Sequence, residues 1–177
     1  PEKTMIRKLL IASLVTAVPG CGGGSGGSNT ETPKTPKEQV PALETSGFIP
    51  QLDRGTSLTG SDANSNGVRD DIETFIAKTY STEPRRAAAL QTAKALQHAL
   101  VVNLTDATAV KAVDREISYG INCIYKQFAD NSPQPARVTQ ELESVTTNTK
   151  ERLLAYLQFN KALDGTSSAL PQGDTCE

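Results

Sequence analysis

The sequence has no tryptophan, and only one histidine, one methionine and three cysteines among 177 residues. Each scarcity excludes something. A serine triad has only His98 to serve as its base, and a zinc or iron centre built on several imidazoles lacks ligands. No apolar run approaches the ~20 residues that a membrane-spanning helix needs. Charge of one sign is not in excess either. The formal net charge is -2, so no global basic field points to nucleic acid, and none is expected as a partner. All eight aromatic residues, four Phe and four Tyr, lie between Phe48 and Phe159, which places the expected core beyond residue 48. The length suits one domain, since ~100–200 residues is the usual span.

What is present begins at the amino terminus. Met5-Ile6-Arg7-Lys8 is basic and precedes the apolar run Leu9 to Val18. That order of a positive region, a short apolar region and a small residue is the pattern of a secretory signal, with Met5 as the expected start and residues 1–20 removed. The run ends Val18-Pro19-Gly20-Cys21, which resembles the lipobox of bacterial lipoproteins. Gly20 and Cys21 match that pattern and Val18 replaces its usual leucine, whereas Pro19 departs from its usual small residue. The resemblance implies cleavage before Cys21, a lipid on its thiol, and anchorage in a membrane; Gly22 implies the outer membrane, facing the periplasm. Residues 22–27 are Gly-Gly-Gly-Ser-Gly-Gly, and Pro33, Pro36 and Pro41 punctuate the polar stretch that follows. Residues 21–47 are therefore expected to be a flexible tether, and 48–177 the folded domain. Loss of residues 1–20 leaves 15 basic against 19 acidic residues, too few cations in excess to hold anionic lipid.

From Asp70 onward, apolar residues recur at helical spacing. A first helix over about 70–80 would bury Ile72, Phe75, Ile76 and Tyr80. A second, capped by Ser81 or Thr82 with Pro84 in its first turn, carries Ala89, Ala93, Leu96 and Leu100. The stripe Val110, Val113, Ile117, Ile121, Ile124 and Phe128 follows Thr105-Asp106 and is the most regular of all. Val138, Leu142 and Val145 mark a fourth segment. Asn148 as cap with Glu151 reaching back would open a fifth, carrying Leu153, Tyr156, Leu157 and Leu163 and ending at Gly165. The expected fold is all-α: a bundle of four or five helices with short loops. The alanines at 87–89 suit close helix packing, Arg85-Arg86 a solvated face, and His98 the surface.

One motif carries chemistry. Residues 62–73 match the twelve-residue loop Asp-x-[Asp/Asn]-x-[Asp/Asn]-Gly-x5-Glu. Calcium takes about 6 to 8 oxygen ligands, and a tightly turning loop points alternate residues inward. The expected ligands are Asp62, Asn64 and Asn66, the carbonyl of Val68, Asp70 directly or through water, and Glu73 with both oxygens. Gly67 permits the turn. The loop resembles an EF-hand at Glu73 and in its exiting helix. It is also similar to the single calcium loops of thrombospondin type 3 repeats, because turn-forming residues precede it and Arg69 replaces an aliphatic residue. Two neutral asparagines imply weak affinity, ~10⁻⁴–10⁻³ M, and a structural ion.

Cys123 and Cys176 remain. The tail from Leu170 has no helical pattern and would fray unless attached, so a Cys123–Cys176 disulfide is expected. Together these readings describe a non-catalytic, calcium-binding envelope lipoprotein, anchored at Cys21, with a binding or scaffolding domain for another envelope protein. Two alternatives stand beside it: a partner-binding helical module with a vestigial loop, and a hydrolase using paired carboxylates or calcium-bound substrate.

Overall fold

The computed structural model describes residues 35–169 and 171–177. The signal and lipobox expectations, Cys21 included, lie outside the described residues. Within them the chain is all-helical, without a strand: α1 Pro36–Thr45, α2 Asp70–Thr79, α3 Glu83–Ala99, α4 Ala107–Gln127, α5 Pro135–Thr146 and α6 Lys150–Ala162.

α2 to α6 fall at the expected positions, but the stripe expected on α6 is not its buried face: Leu153 and Leu157 are exposed, and Arg152 and Phe159 are buried instead. α1 was not expected. It lies in a stretch read as extended, and contains Pro41 despite the missing N–H. Its end is fixed by local bonds: Gly47 adopts φ 73°, and its N–H and that of Phe48 donate to the carbonyls of Glu44 and Leu43. This is a helix terminus of the kind glycine favours. The sequence signal for this helix is Gly47, and Pro33, Pro36 and Pro41 argue against it.

α3 is the central element, touching α2, α4, α5 and α6. Its expected stripe is buried, and Ala88, Thr92, Ala95 and Ala99 widen the buried surface to most of its circumference. Small residues let helices approach. Gly120 of α4 faces Thr92, and a Cβ there would lie 2.9 Å from the Thr92 Cα. The main core joins Ile72 and Ile76 of α2 to Leu96, Ile124, Val138 and Leu142, while Val110, Val113 and Phe159 form a second cluster with Ala99. Asp106 caps α4, accepting from the N–H groups of Thr108 and Ala109.

Two further expectations need correction. The cap of α6 is Thr149, whose hydroxyl accepts from Arg152 N–H; Asn148 instead donates to the Asp53 carbonyl and accepts from Arg152. Arg85 is only partly solvated: it donates to the carbonyls of Gln127 and Ser132 and lies 4.8 Å over the Phe128 ring. Both departures arise because long polar side chains find partners distant in sequence.

The expected staple is present. Cys123 and Cys176 are disulfide-bonded, with Cα atoms 5.0 Å apart. The tail is also tied by hydrogen bonds from Asn122 to the Gly173 carbonyl and from Gln91 to the Thr175 carbonyl.

Candidate metal centre

The loop at 62–73 is built by short-range bonds from its own side chains. Asp62 accepts the N–H of Asn66 at 3.1 Å on Oδ1 and that of Gly67 at 2.9 Å on Oδ2. Asn64 Oδ1 accepts from Asn66 N–H, and Asn66 Oδ1 accepts from Val68 N–H at 2.8 Å. Each bond turns the backbone inward, as short Asx side chains do. Ser65 at φ 56° and Gly67 at φ 88° supply the left-handed residues that complete the coil.

The coil brings four of the six expected ligand residues to one place. Asn64 Nδ2 donates to both oxygens of Glu73 at 3.2 Å, and Asn66 Nδ2 donates to Glu73 Oε1 at 2.5 Å. Glu73 thus closes the loop from the first turn of α2, beside Asp62, Asn64 and Asn66. Asp70 is differently placed. Its Oδ2 accepts from the Ser61 hydroxyl at 2.6 Å and its Oδ1 from Ala63 N–H. Those two bonds, the hydroxyl first, hold its carboxyl below the usual carboxylate range. Val68 contributes its N–H to the coil, and its side chain is buried in the core.

The donor set suits a hard cation, being carboxylate and amide oxygens only. The amide NH2 groups of Asn64 and Asn66 donate to Glu73, and rotation about their side chains would present oxygens instead. Among the described residues, however, no three His, Cys, Asp or Glu side chains cluster in a metal-binding arrangement. Asp62 and Glu73 are the charged members of the gathered set, and the rest are neutral.

Beneath the loop lies a feature that no local sequence pattern marks. Arg69 is fully buried. Its guanidinium pairs with both oxygens of Asp71 at 2.8 Å and donates to the carbonyls of Val145 and Thr146. Arg152 of α6 is equally buried, donating to the carbonyls of Asp53 and Ser57 and to Asp53 Oδ2 at 3.1 Å. Asp71 in turn accepts from Asp53 N–H. The two arginines therefore bolt the segment 53–71 to α5 and α6. Planar guanidinium groups with five donors are suited to this work. Gly60, at φ 63°, leaves room for them: a Cβ would lie 2.4 Å from Arg69 Cδ. The available signal was the pair Arg69 and Asp71 at a helix start, but Arg152 is 83 residues from Arg69 and no local pattern joins them.

The loop also borders an open cleft of about 680 Å³ between α3 and α4. No protein-family model matches the chain, and neither a curated protein nor a solved structure does.

Proposed function

We propose that this chain is a non-catalytic, lipid-anchored protein of the bacterial cell envelope, whose 62–73 loop binds one calcium ion as a structural element. The observation that carries the ion is the convergence of Asp62, Asn64, Asn66 and Glu73 within a coil already shaped by its own Asx bonds. Asp62, Asn64, Asn66 and Glu73 would hold calcium through side-chain oxygens, with the Val68 carbonyl and Asp70 or its water completing the set. The ion's role is to fix the loop against the start of α2. The anchor is proposed on the Val18-Pro19-Gly20-Cys21 motif and the glycine-rich residues after it. By its resemblance to the lipobox, that motif supports a position at the outer membrane, on its periplasmic side, with an envelope protein as the partner proposed.

Calorimetric titration of calcium into the protein, beside an Asp62→Ala/Glu73→Ala control, tests the ion. Heat of binding in the parent and none in the control is expected. If calcium binds at ~10⁻⁴–10⁻³ M, then ~10 mM calcium raises stability by about 1.4–2.7 kcal/mol through mass action. Equal heats from the two proteins end the calcium reading. Radiolabelled palmitate incorporation that disappears in Cys21→Ser tests the anchor.

A second reading is a partner-binding helical module whose loop no longer takes an ion. It is favoured by the asparagine amides, whose NH2 groups donate to Glu73.

A further inference from the structure

α6 has an outer face that the described residues leave uncovered. The helix turns Arg152 and Phe159 inward and leaves Leu153, Leu154 and Leu157 45%, 47% and 52% exposed. Apolar residues therefore occupy both of its sides, and a helix of that kind is normally covered on both. At ~100° per residue, Leu154, Leu157, Lys150 and Lys161 fall within an arc of about 60°, with Leu153 roughly 40° beyond Leu157. The two lysines thus stand on the leucine face, one near each end. Both are exposed, and neither is ion-paired among the described residues. Glu151, about 60° past Leu154, and Asp164, just beyond the helix, are exposed too and offset their charge. The face is apolar with balanced charge, not basic.

A second copy of the chain fits this face poorly. Antiparallel pairing that sets Leu154 against Leu157 of the copy also sets Lys150 against Lys161 of the copy, and parallel pairing sets each lysine against itself. A bilayer accommodates both lysines, because their apolar stems lie along the leucines while the ammonium groups reach the phosphates. A bilayer is also near. With a lipid on Cys21, the chain from there to Pro36 spans at most ~50 Å. That reach lets a domain of this size turn any of its faces to the membrane.

We propose that the outer face of α6 rests on a phospholipid bilayer, with Leu153, Leu154 and Leu157 in the acyl boundary and Lys150 and Lys161 at the phosphates. This contact is separate from the lipid on Cys21, and it rests on the lipid-anchor reading for the nearness of a membrane.

The test uses the full chain with Cys21→Ser, which removes the lipid site, and an environment-sensitive fluorophore on Gln158→Cys, beside Leu154 on the same face. The Cys123–Cys176 bond leaves that thiol as the one free for labelling. Phosphatidylcholine vesicles carry no net charge and so do not draw the basic residues before Leu9. They should shift the emission to the blue, half-saturating at roughly 1 mM lipid, since even a fourteen-carbon acyl chain gives only ~10⁴ M⁻¹. A probe at Lys78→Cys on α2 should stay in water. Leu153→Gln/Leu154→Gln/Leu157→Gln changes exposed side chains, so helix content and urea midpoint should match the parent while the lipid required rises at least about tenfold. No shift at Gln158 up to ~10 mM lipid would overturn the proposal, as would an equal shift at Lys78 or an undiminished one in the leucine variant. So would a dimer, seen by sedimentation without lipid and abolished in the leucine variant, since the face would then belong to a second copy. Palmitate incorporation at Cys21 is read separately, so failure of the anchor and failure of the α6 contact are distinguishable.

Discussion

At the scale of single residues, the two buried arginines carry consequences that exposed ion pairs would not. An exposed pair contributes at most about 1 kcal/mol, whereas removing one member of a buried, hydrogen-bonded pair costs ~3–5 kcal/mol. Arg152→Ala would orphan the carbonyls of Asp53 and Ser57 as well as breaking the pair with Asp53. Because Asp53 keeps partial solvent contact, the lower end, ~3 kcal/mol, is expected in urea unfolding. Lys78→Ala, on an exposed helix face, should leave the midpoint unchanged. Asp53 also sets a pH dependence. The Gly55 N–H first, and Arg152 after it, hold its carboxyl below the ordinary 3.8. A folded-state value below the unfolded one means stability that is complete above 3.8 and lost as pH falls through the lowered value. The urea midpoint should therefore fall on acidification, and its fall should be shallower in Asp53→Asn.

At the scale of elements, the closest approach is that of α3 to α4. Thr92 is fully buried, and its hydroxyl already donates within α3 to the Ala88 carbonyl. A Cβ at Gly120 would lie 2.7 Å from the Thr92 oxygen and 2.9 Å from its Cα, the second of which is backbone and cannot swing aside. Gly120→Ala gains helix propensity of ~1 kcal/mol, but overpacking costs ~1–3 kcal/mol. The clash with backbone decides the sign: net destabilisation of about 1 kcal/mol is expected in urea unfolding. Gly120→Ala/Thr92→Ala should recover only part of the loss, because alanine at 92 removes the hydroxyl but keeps the Cα and Cβ that a Gly120 Cβ would meet at 2.9 and 3.1 Å. The exposed leucines of α6, Leu153, Leu154 and Leu157, contrast with this seam. α6 turns Arg152 and Phe159 inward instead, so its anchor is partly polar.

At the scale of the whole molecule, the disulfide and the two bolts act on different parts of the chain. Cys123–Cys176 closes a sequence separation of 53 residues over α5 and α6. In the chain-entropy account that loop stabilises by about 4 kcal/mol, although strain and residual unfolded structure commonly reduce the figure. Reduction should lower the unfolding midpoint in urea by a corresponding amount, and the Cys123→Ala/Cys176→Ala variant should match the reduced parent. Thiol labelling of the denatured, unreduced domain should find neither cysteine.

The all-α class, the positions of α2 to α5 and the disulfide were legible in the sequence, each for a local reason. Apolar periodicity needs only one helix turn of context, Asp106 caps the N–H groups adjacent to it, and an unpatterned tail ending near a cysteine invites attachment. The coil at 62–73 was legible for the same reason, since its Asx bonds span two to five residues. Tertiary structure alone decided the rest. It buried Arg69 and Arg152 with carbonyl partners more than 75 residues away, drew Asp70 toward Ser61, and set Lys94, Gln97 and Arg115 around one cleft. A charged side chain's partner is chosen by which carbonyls and carboxylates the packed helices bring within reach. The disulfide shows both sides of that division: the unpatterned tail calls for attachment through Cys176 in the sequence by itself, while the fold supplies the geometry, bringing the Cα atoms of Cys123 and Cys176 to 5.0 Å.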